Sequence, residues 1–143
     1  MRKIVAAAVG VLLLTGCGIG MDTQAAQQAV NAQDPPADVQ AKANLQTALV
    51  AAQQAYSADG SYTGVTPASM AQLEPSLTYV SGGSTGPNVV SVTSNASGLS
   101  AAVLSTSGSC FYAMVSAGHG TQTGRGSGSC SAASAPQYVT QAG

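Results

Sequence analysis

Charge is scarce in this chain, and so are aromatic rings and histidine. Of 143 residues only four are Lys or Arg and five are Asp or Glu; there is one His, one Phe and no Trp. Two of the four cations, Arg2 and Lys3, lie at the extreme N-terminus. Beyond them Lys42 and Arg125 face Asp22, Asp34, Asp38, Asp59 and Glu74, a net charge of −3. Binding to nucleic acid requires a cationic footprint that neutralises phosphates, and this chain has none. Recruitment to anionic lipid by charge is excluded for the same reason. Long apolar runs are missing too. The longest, 4–14, holds about eleven residues, whereas a spanning helix needs roughly 20.

That short run has its own meaning. Arg2 and Lys3 precede it, and Leu14-Thr15-Gly16-Cys17 closes it. A positive n-region, an uncharged h-region and small residues before a cleavage point make a signal peptide. A cysteine directly after Gly16 makes the junction a bacterial lipobox. Residues 1–16 are therefore expected to be removed, with Cys17 carrying the lipid as the new N-terminus. Two or three acyl chains give the stable anchoring that a single chain does not. The expected location is the cell membrane, lipid-anchored on its extracytoplasmic face, and the membrane is the first expected partner. Gly18 follows Cys17, so no Asp retention signal for an inner membrane is evident.

Setting Cys17 aside leaves Cys110 and Cys130. Outside the cytoplasm an even pair is expected as a disulfide. A separation of twenty residues gives roughly 3 kcal/mol through the unfolded state. A metal site is the competing reading, but only His119 is available to join the pair and the spacing is not that of a zinc site. Neither a metal nor a cofactor is expected.

Residues 17–33 are small and polar without apolar periodicity and read as a lipid-anchored stalk. Asp34-Pro35 then reads as a helix start, with Asp38 placed in the first turn to suit the helix dipole. Ala41, Leu45, Ala48, Leu49, Ala52 and Tyr56 recur at three- and four-residue steps, with Lys42, Gln46, Gln53 and Asp59 opposite. Gly60 ends the run. Thr66-Pro67 starts a short second helix, with Met70 and Leu73 as its inner face and Pro75 after it. Four short strands follow, at 77–80, 89–93, 99–104 and 110–115, separated by Gly/Ser-rich turns. Short links between successive strands predict an antiparallel meander. Residues 118–129 read as a glycine-rich loop closed by Cys130, and 136–143 as a tail in which Tyr138-Val139 can add an edge strand. The expected domain spans 34–135. Its class is α+β, one long N-terminal helix packed on a small antiparallel sheet.

The order of these parts resembles the globular domain of type IV pilins and type II secretion pseudopilins. The stretch from Ala43-Asn44-Leu45 through Tyr56-Ser57-Ala58-Asp59-Gly60-Ser61-Tyr62 is similar to their helix and loop entry. Glu74-Pro75-Ser76-Leu77-Thr78-Tyr79-Val80 is similar to the entry to the sheet in pilins of high-GC Gram-positive bacteria, and Gly108-Ser109-Cys110-Phe111-Tyr112 to their first cysteine strand. The resemblance covers about residues 38–133 and implies a pilin-like head. Pilins begin with a prepilin-peptidase site and a long apolar helix that packs in the filament core. Here a lipobox and a polar stalk stand in those places. The implied role is an accessory or structural component near type IV pili or a secretion apparatus, not a filament-core subunit. Some pseudopilins hold calcium in the C-terminal loop, but residues 111–143 contain no Asp or Glu, and no such site is expected.

Catalytic groups are few. Gly82-Gly83-Ser84-Thr85-Gly86 matches the G-x-S-x-G string, but Pro87 and a strand follow it where the nucleophile elbow needs a helix. His119, between two glycines, reads as a solvated side chain. Gly118-His119-Gly120 with Gly124-Arg125-Gly126 has neither the helix nor the Lys of a phosphate loop. Of the tyrosines, Tyr56 is expected in the core, and Tyr62 and Tyr138 on a contact surface. The expectation is a non-enzymatic protein acting through protein contacts. The alternative is a stand-alone binding module for cell-wall glycan or a small ligand, and a hydrolase using Ser84 and His119 comes third.

Overall fold

A computed structural model describes residues 35–139. The expected leader, the lipobox Leu14-Thr15-Gly16-Cys17, the stalk and Asp34 lie outside the described residues. Helix α1 runs Pro36–Asp59, α2 Pro67–Leu73, and the strands are β1 Thr78–Val80, β2 Val89–Asn95, β3 Gly98–Leu104, β4 Cys110–Ser116 and β5 Gly120–Gly126. A 3₁₀ turn, Ala132–Ser134, leads into the short helix α3, Ala135–Tyr138. The class is α+β, with the strands in sequential order β1-β2-β3-β4-β5.

α1 forms where the apolar spacing predicted it. Ala41, Leu45, Ala48, Leu49, Ala51 and Ala52 are buried against the sheet, chiefly on Val90, Val92, Leu99, Ala101, Val103, Phe111, Ala113 and Val115. The alanines make a narrow stripe, so the helix approaches the strands closely, and Leu45 and Leu49 fill what remains. Truncating either leucine removes about 2–5 kcal/mol at such a site. The start lies one residue later than expected. Pro35 is the N-cap and Pro36 the first helical residue, with no side-chain cap. The end is as expected: Gly60 adopts φ 67° and its N–H bonds to Tyr56 O at 2.7 Å. α2 starts on Thr66, whose Oγ1 accepts from Ser69 N–H while Ser69 Oγ accepts from Thr66 N–H, at 3.2 and 2.9 Å. Met70 is buried there, but Leu73, expected inside, is 44% exposed.

The sheet departs from the expected antiparallel meander. β1 pairs with β2 in parallel, Thr78 opposite Val89 and Val80 opposite Ser91, so the sheet is mixed. The other three pairings are antiparallel. Short links favour hairpins, yet β1 is three residues long, so residues 81–88 can run back beside it. That return is fixed by Ser84. Its N–H bonds to Cys130 O at 2.7 Å; its hydroxyl donates to Val89 O at 2.5 Å and accepts from Leu104 N–H at 2.8 Å. The hydroxyl thus continues the β2–β3 ladder where direct backbone pairing stops.

The second departure is β5. The glycine-rich stretch expected as a loop is a seven-residue strand paired along the whole of β4. The tail is not free either. Residues 132–138 turn back over the sheet face opposite α1, and Val139 bridges Gly124 antiparallel, as the edge-strand reading allowed. Tyr138 stacks on Tyr112 with ring centroids 4.7 Å apart. A side chain at Gly124 or Gly126 would collide with Tyr138, so glycine at both is what admits it. Ala102, Cys110, Tyr112, Cys130 and Ala135 form this second, smaller core.

Candidate functional site

Cys110 and Cys130 are joined as the sequence predicted, with their Cα atoms 5.4 Å apart. The bond ties the first residue of β4 to the start of the covering segment. Cys130 O then receives Ser84 N–H, and Ser129 O receives the Tyr112 hydroxyl at 3.1 Å. One covalent link therefore holds the outer cover, the β1–β2 return and the buried end of β4 together. Cys17, expected to carry a lipid, lies outside the described residues.

The structure does not bring Ser84 and His119 together. Ser84 is buried at the β3 C-terminal end, its hydroxyl held by backbone groups. His119 lies exposed in the β4–β5 turn, at the other end of β4. A seven-residue strand separates these ends by about 20 Å. No three His, Cys, Asp or Glu side chains converge among the described residues. Glu74 is a surface carboxylate whose pKa is lowered by the Ser76 hydroxyl and backbone N–H.

Asp38 stands in the first turn of α1, as expected, but has a second role that sequence reading missed. Besides suiting the helix dipole there, it is fully buried. Its Oδ1 accepts from the Ser105 and Ser107 hydroxyls at 2.6 and 2.5 Å, and Oδ2 lies 3.3 Å from Arg125. Arg125 also donates to Ser109 Oγ at 2.6 Å. The two hydroxyls, followed by Arg125 and Lys42, hold the Asp38 carboxyl below the usual range, against the opposing effect of burial. Lys42 Nζ and the Arg125 guanidinium lie 5.1 and 5.5 Å from the centre of the Phe111 ring. The cluster joins the first turn of α1 to the β3–β4 loop and to β5. Its signal was the run Ser105-Thr106-Ser107-Gly108-Ser109, which reads as turn composition until Asp38 is set beside it.

Tyr62, expected on a contact surface, is buried and stacked on the partly buried Tyr56 at 4.6 Å, and burial raises its pKa. Tyr79 is pushed up to about 12, first by burial and then by Glu74. On the solvent side, Val50 and Leu73 are exposed at 54% and 44% beside a groove of about 230 Å³ between α1 and α2. No described helix is long and apolar enough to cross a membrane. In comparisons with protein-family models, curated proteins and solved structures, nothing matched this chain.

Proposed function

We propose that this chain is a lipid-anchored extracytoplasmic protein whose head domain, pilin-like in the order of its parts, works by protein contacts and not by catalysis. The reading places it as an accessory or structural component near type IV pili or a type II-like secretion apparatus. The observation that carries it is the Cys110–Cys130 disulfide closing the last part of a helix-then-sheet domain. A structural disulfide fits an oxidising compartment, and its place in the chain is the one the pilin resemblance implies. The lipobox Leu14-Thr15-Gly16-Cys17 supplies the anchor in this reading, and the stalk of 17–33 the spacing from the membrane.

The test has two arms. Intact mass of the detergent-extracted protein, beside a Cys17→Ser form, reads the anchor: a lipid mass on Cys17 that the variant lacks is expected. An unlipidated chain cut elsewhere overturns the tether. Crosslinking in the producing cells, followed by identification of the linked proteins, reads the role. Recovery of pilus or secretion components is expected, and their consistent absence refutes the assembly reading.

A further inference from the structure

Charge in the described domain is divided between two places. Lys42 and Arg125 both lie over the Phe111 ring and both act on Asp38. The other two acids stand at helix C-termini: Asp59 is the last residue of α1, and Glu74 is the C-cap of α2. A helix C-terminus carries negative partial charge, so an acid there is unfavourable and a base is favoured. Neither helix has a basic residue in its last turn. The Ser76 hydroxyl and N–H hold the Glu74 carboxyl below the usual range, and so ionised at neutral pH. Both of those bonds go to Oε1, and Oε2 has no donor among the described residues.

Glu74 also lines the groove between α1 and α2. Thr47, Val50, Ala51 and Gln54 line it from α1, and Leu73 and Glu74 from the end of α2. Val50 and Leu73 are the two large apolar side chains exposed among the described residues, and both belong to this groove. Single exposed apolar residues are ordinary, whereas apolar residues gathered at one site mark an interaction surface. Tyr79 stands on β1 opposite Val90, on the α1 side of the sheet, and α2 packs on β1. Its hydroxyl is buried without a hydrogen-bond partner, an unfavourable state for a polar group. Glu74 is the one charged group that acts on it, which sets the hydroxyl toward the Glu74 side of the groove. This corner of the domain therefore holds two unmet oxygens, Glu74 Oε2 and Tyr79 Oη, and no cation.

These features select the occupant. The groove, about 230 Å³, lies below the roughly 300–1,000 Å³ of small-molecule sites, so it takes a side chain or two rather than a whole ligand. An anionic lipid surface or an acidic segment would be repelled by Glu74. A second copy of this domain would bring only Lys42 and Arg125, which are engaged at Phe111 and Asp38. A cationic partner meets both halves of the site: aliphatic groups rest on Val50 and Leu73 while an ammonium or guanidinium reaches Glu74. Long basic side chains lay their apolar stems on such surfaces and keep the charged head at the rim. We infer that this groove docks a cationic amphipathic segment of a partner protein, with a Lys or Arg at Glu74 and an aliphatic side chain against Val50 and Leu73. The inference rests on the reading that the domain works by protein contacts, and gives the partner its chemistry.

The test is an amide-resolved NMR titration of the detergent-extracted full chain with a short amphipathic leucine–arginine peptide, beside its leucine–glutamate counterpart. Saturable shifts at Val50, Ala51, Gln54, Leu73 and Glu74 are expected with the first peptide and not with the second. Glu74→Gln keeps the Oε1 acceptor for Ser76 and removes the charge. It is expected to fold and to bind about three- to fivefold more weakly, as loss of an exposed ion pair implies. Leu73→Ser, at an exposed position, is the second variant, with a comparable loss expected. Added salt should lower the affinity of the wild type and leave that of Glu74→Gln less affected. Absence of saturable shifts with the arginine peptide overturns the inference. So do equal shifts from the glutamate peptide, shifts centred elsewhere, or undiminished affinity in either variant. Failure here is distinct from failure of the assembly reading, which the crosslinking in cells decides: pilus or secretion components recovered there through another face leave that reading standing without this site.

Discussion

Replacing Asp38 with asparagine keeps the shape of the side chain and removes its charge, which isolates what the buried carboxylate contributes. In the wild type, Oδ1 receives two hydroxyl donors and Oδ2 faces Arg125. Hydrogen bonds to a charged group contribute about 1.5–3 kcal/mol, neutral ones about 0.5–1.5. Two bonds weakened from the first class to the second amount to about 2 kcal/mol. Loss of the pairing with Arg125, itself 56% exposed, adds little because exposed pairs contribute at most about 1 kcal/mol. Asp38→Asn is therefore expected to unfold about 2–3 kcal/mol more easily at neutral pH, a drop in Tm of roughly 10–20 °C for a domain of this size. Urea unfolding of the disulfide-intact protein reads this as a lower midpoint at constant m-value. The pH dependence gives an independent check. The Ser105 and Ser107 hydroxyls, with Arg125 and Lys42, depress the folded-state pKa below the ordinary 3.8. The stabilisation is then fully present above the unfolded-state value and is lost as pH falls through the folded-state one. The wild-type and Asp38→Asn stability curves are expected to lie apart at pH 7 and to converge below about pH 4. Equal stability at pH 7, or parallel curves through the acid range, would refute the reasoning.

Reducing the Cys110–Cys130 bond, or replacing both residues with serine, is expected to cost about 3 kcal/mol in urea unfolding, from a sequence separation of 20. It should also weaken the near-UV circular dichroism of the stacked Tyr112–Tyr138 pair. Gly124→Ala places a methyl group against the Tyr138 carbonyl, an overpacking worth about 1–3 kcal/mol, whereas Gly83→Ala meets only Cys130 O at 3.6 Å and should be tolerated. Equal melting temperatures for these two variants would contradict the packing argument. Ser84→Ala leaves Leu104 N–H and Val89 C=O without their shared hydroxyl, a loss of about 1–3 kcal/mol, read as faster amide exchange at Leu104. His119→Ala, altering an exposed turn, should change stability by less than about 0.5 kcal/mol.

What could be read in advance followed from periodicity and punctuation. The α1 stripe, the Gly60 stop, the Thr66-Pro67 start and strands β1 to β4 all announce themselves through local pattern. The disulfide followed from cysteine arithmetic and an expected oxidising compartment. β5 did not, because Gly-Thr-Gln-Thr-Gly-Arg-Gly has the composition of a loop. Two of its glycines, Gly124 and Gly126, answer to a tertiary neighbour, Tyr138, that lies about a dozen residues further on. The parallel pairing of β1 was hidden for a similar reason: Ser84 looked like one more turn serine, and its place between β2 and β3 is a non-local fact. Asp38 obeyed a correct local rule, acid in the first helical turn, while its energetics were set by serines nearly seventy residues away. The lipobox reading of Leu14-Thr15-Gly16-Cys17 falls on residues outside those the structure describes and stands as a proposal.

The small residues at the uncovered end of the sheet face opposite α1 have different reasons. Gly98 is required by the backbone: a methyl there would meet Val115 O at 2.6 Å. Gly120 is required by the turn, with φ +70°. Ser100 and Ser116 line an open depression, where water can satisfy their hydroxyls. Ser100→Ala leaves no protein group without a partner and should leave the melting temperature nearly unchanged. Gly98→Ala forces β3 and β4 apart and should cost about 1–3 kcal/mol. Equal melting temperatures for the two variants would refute this account.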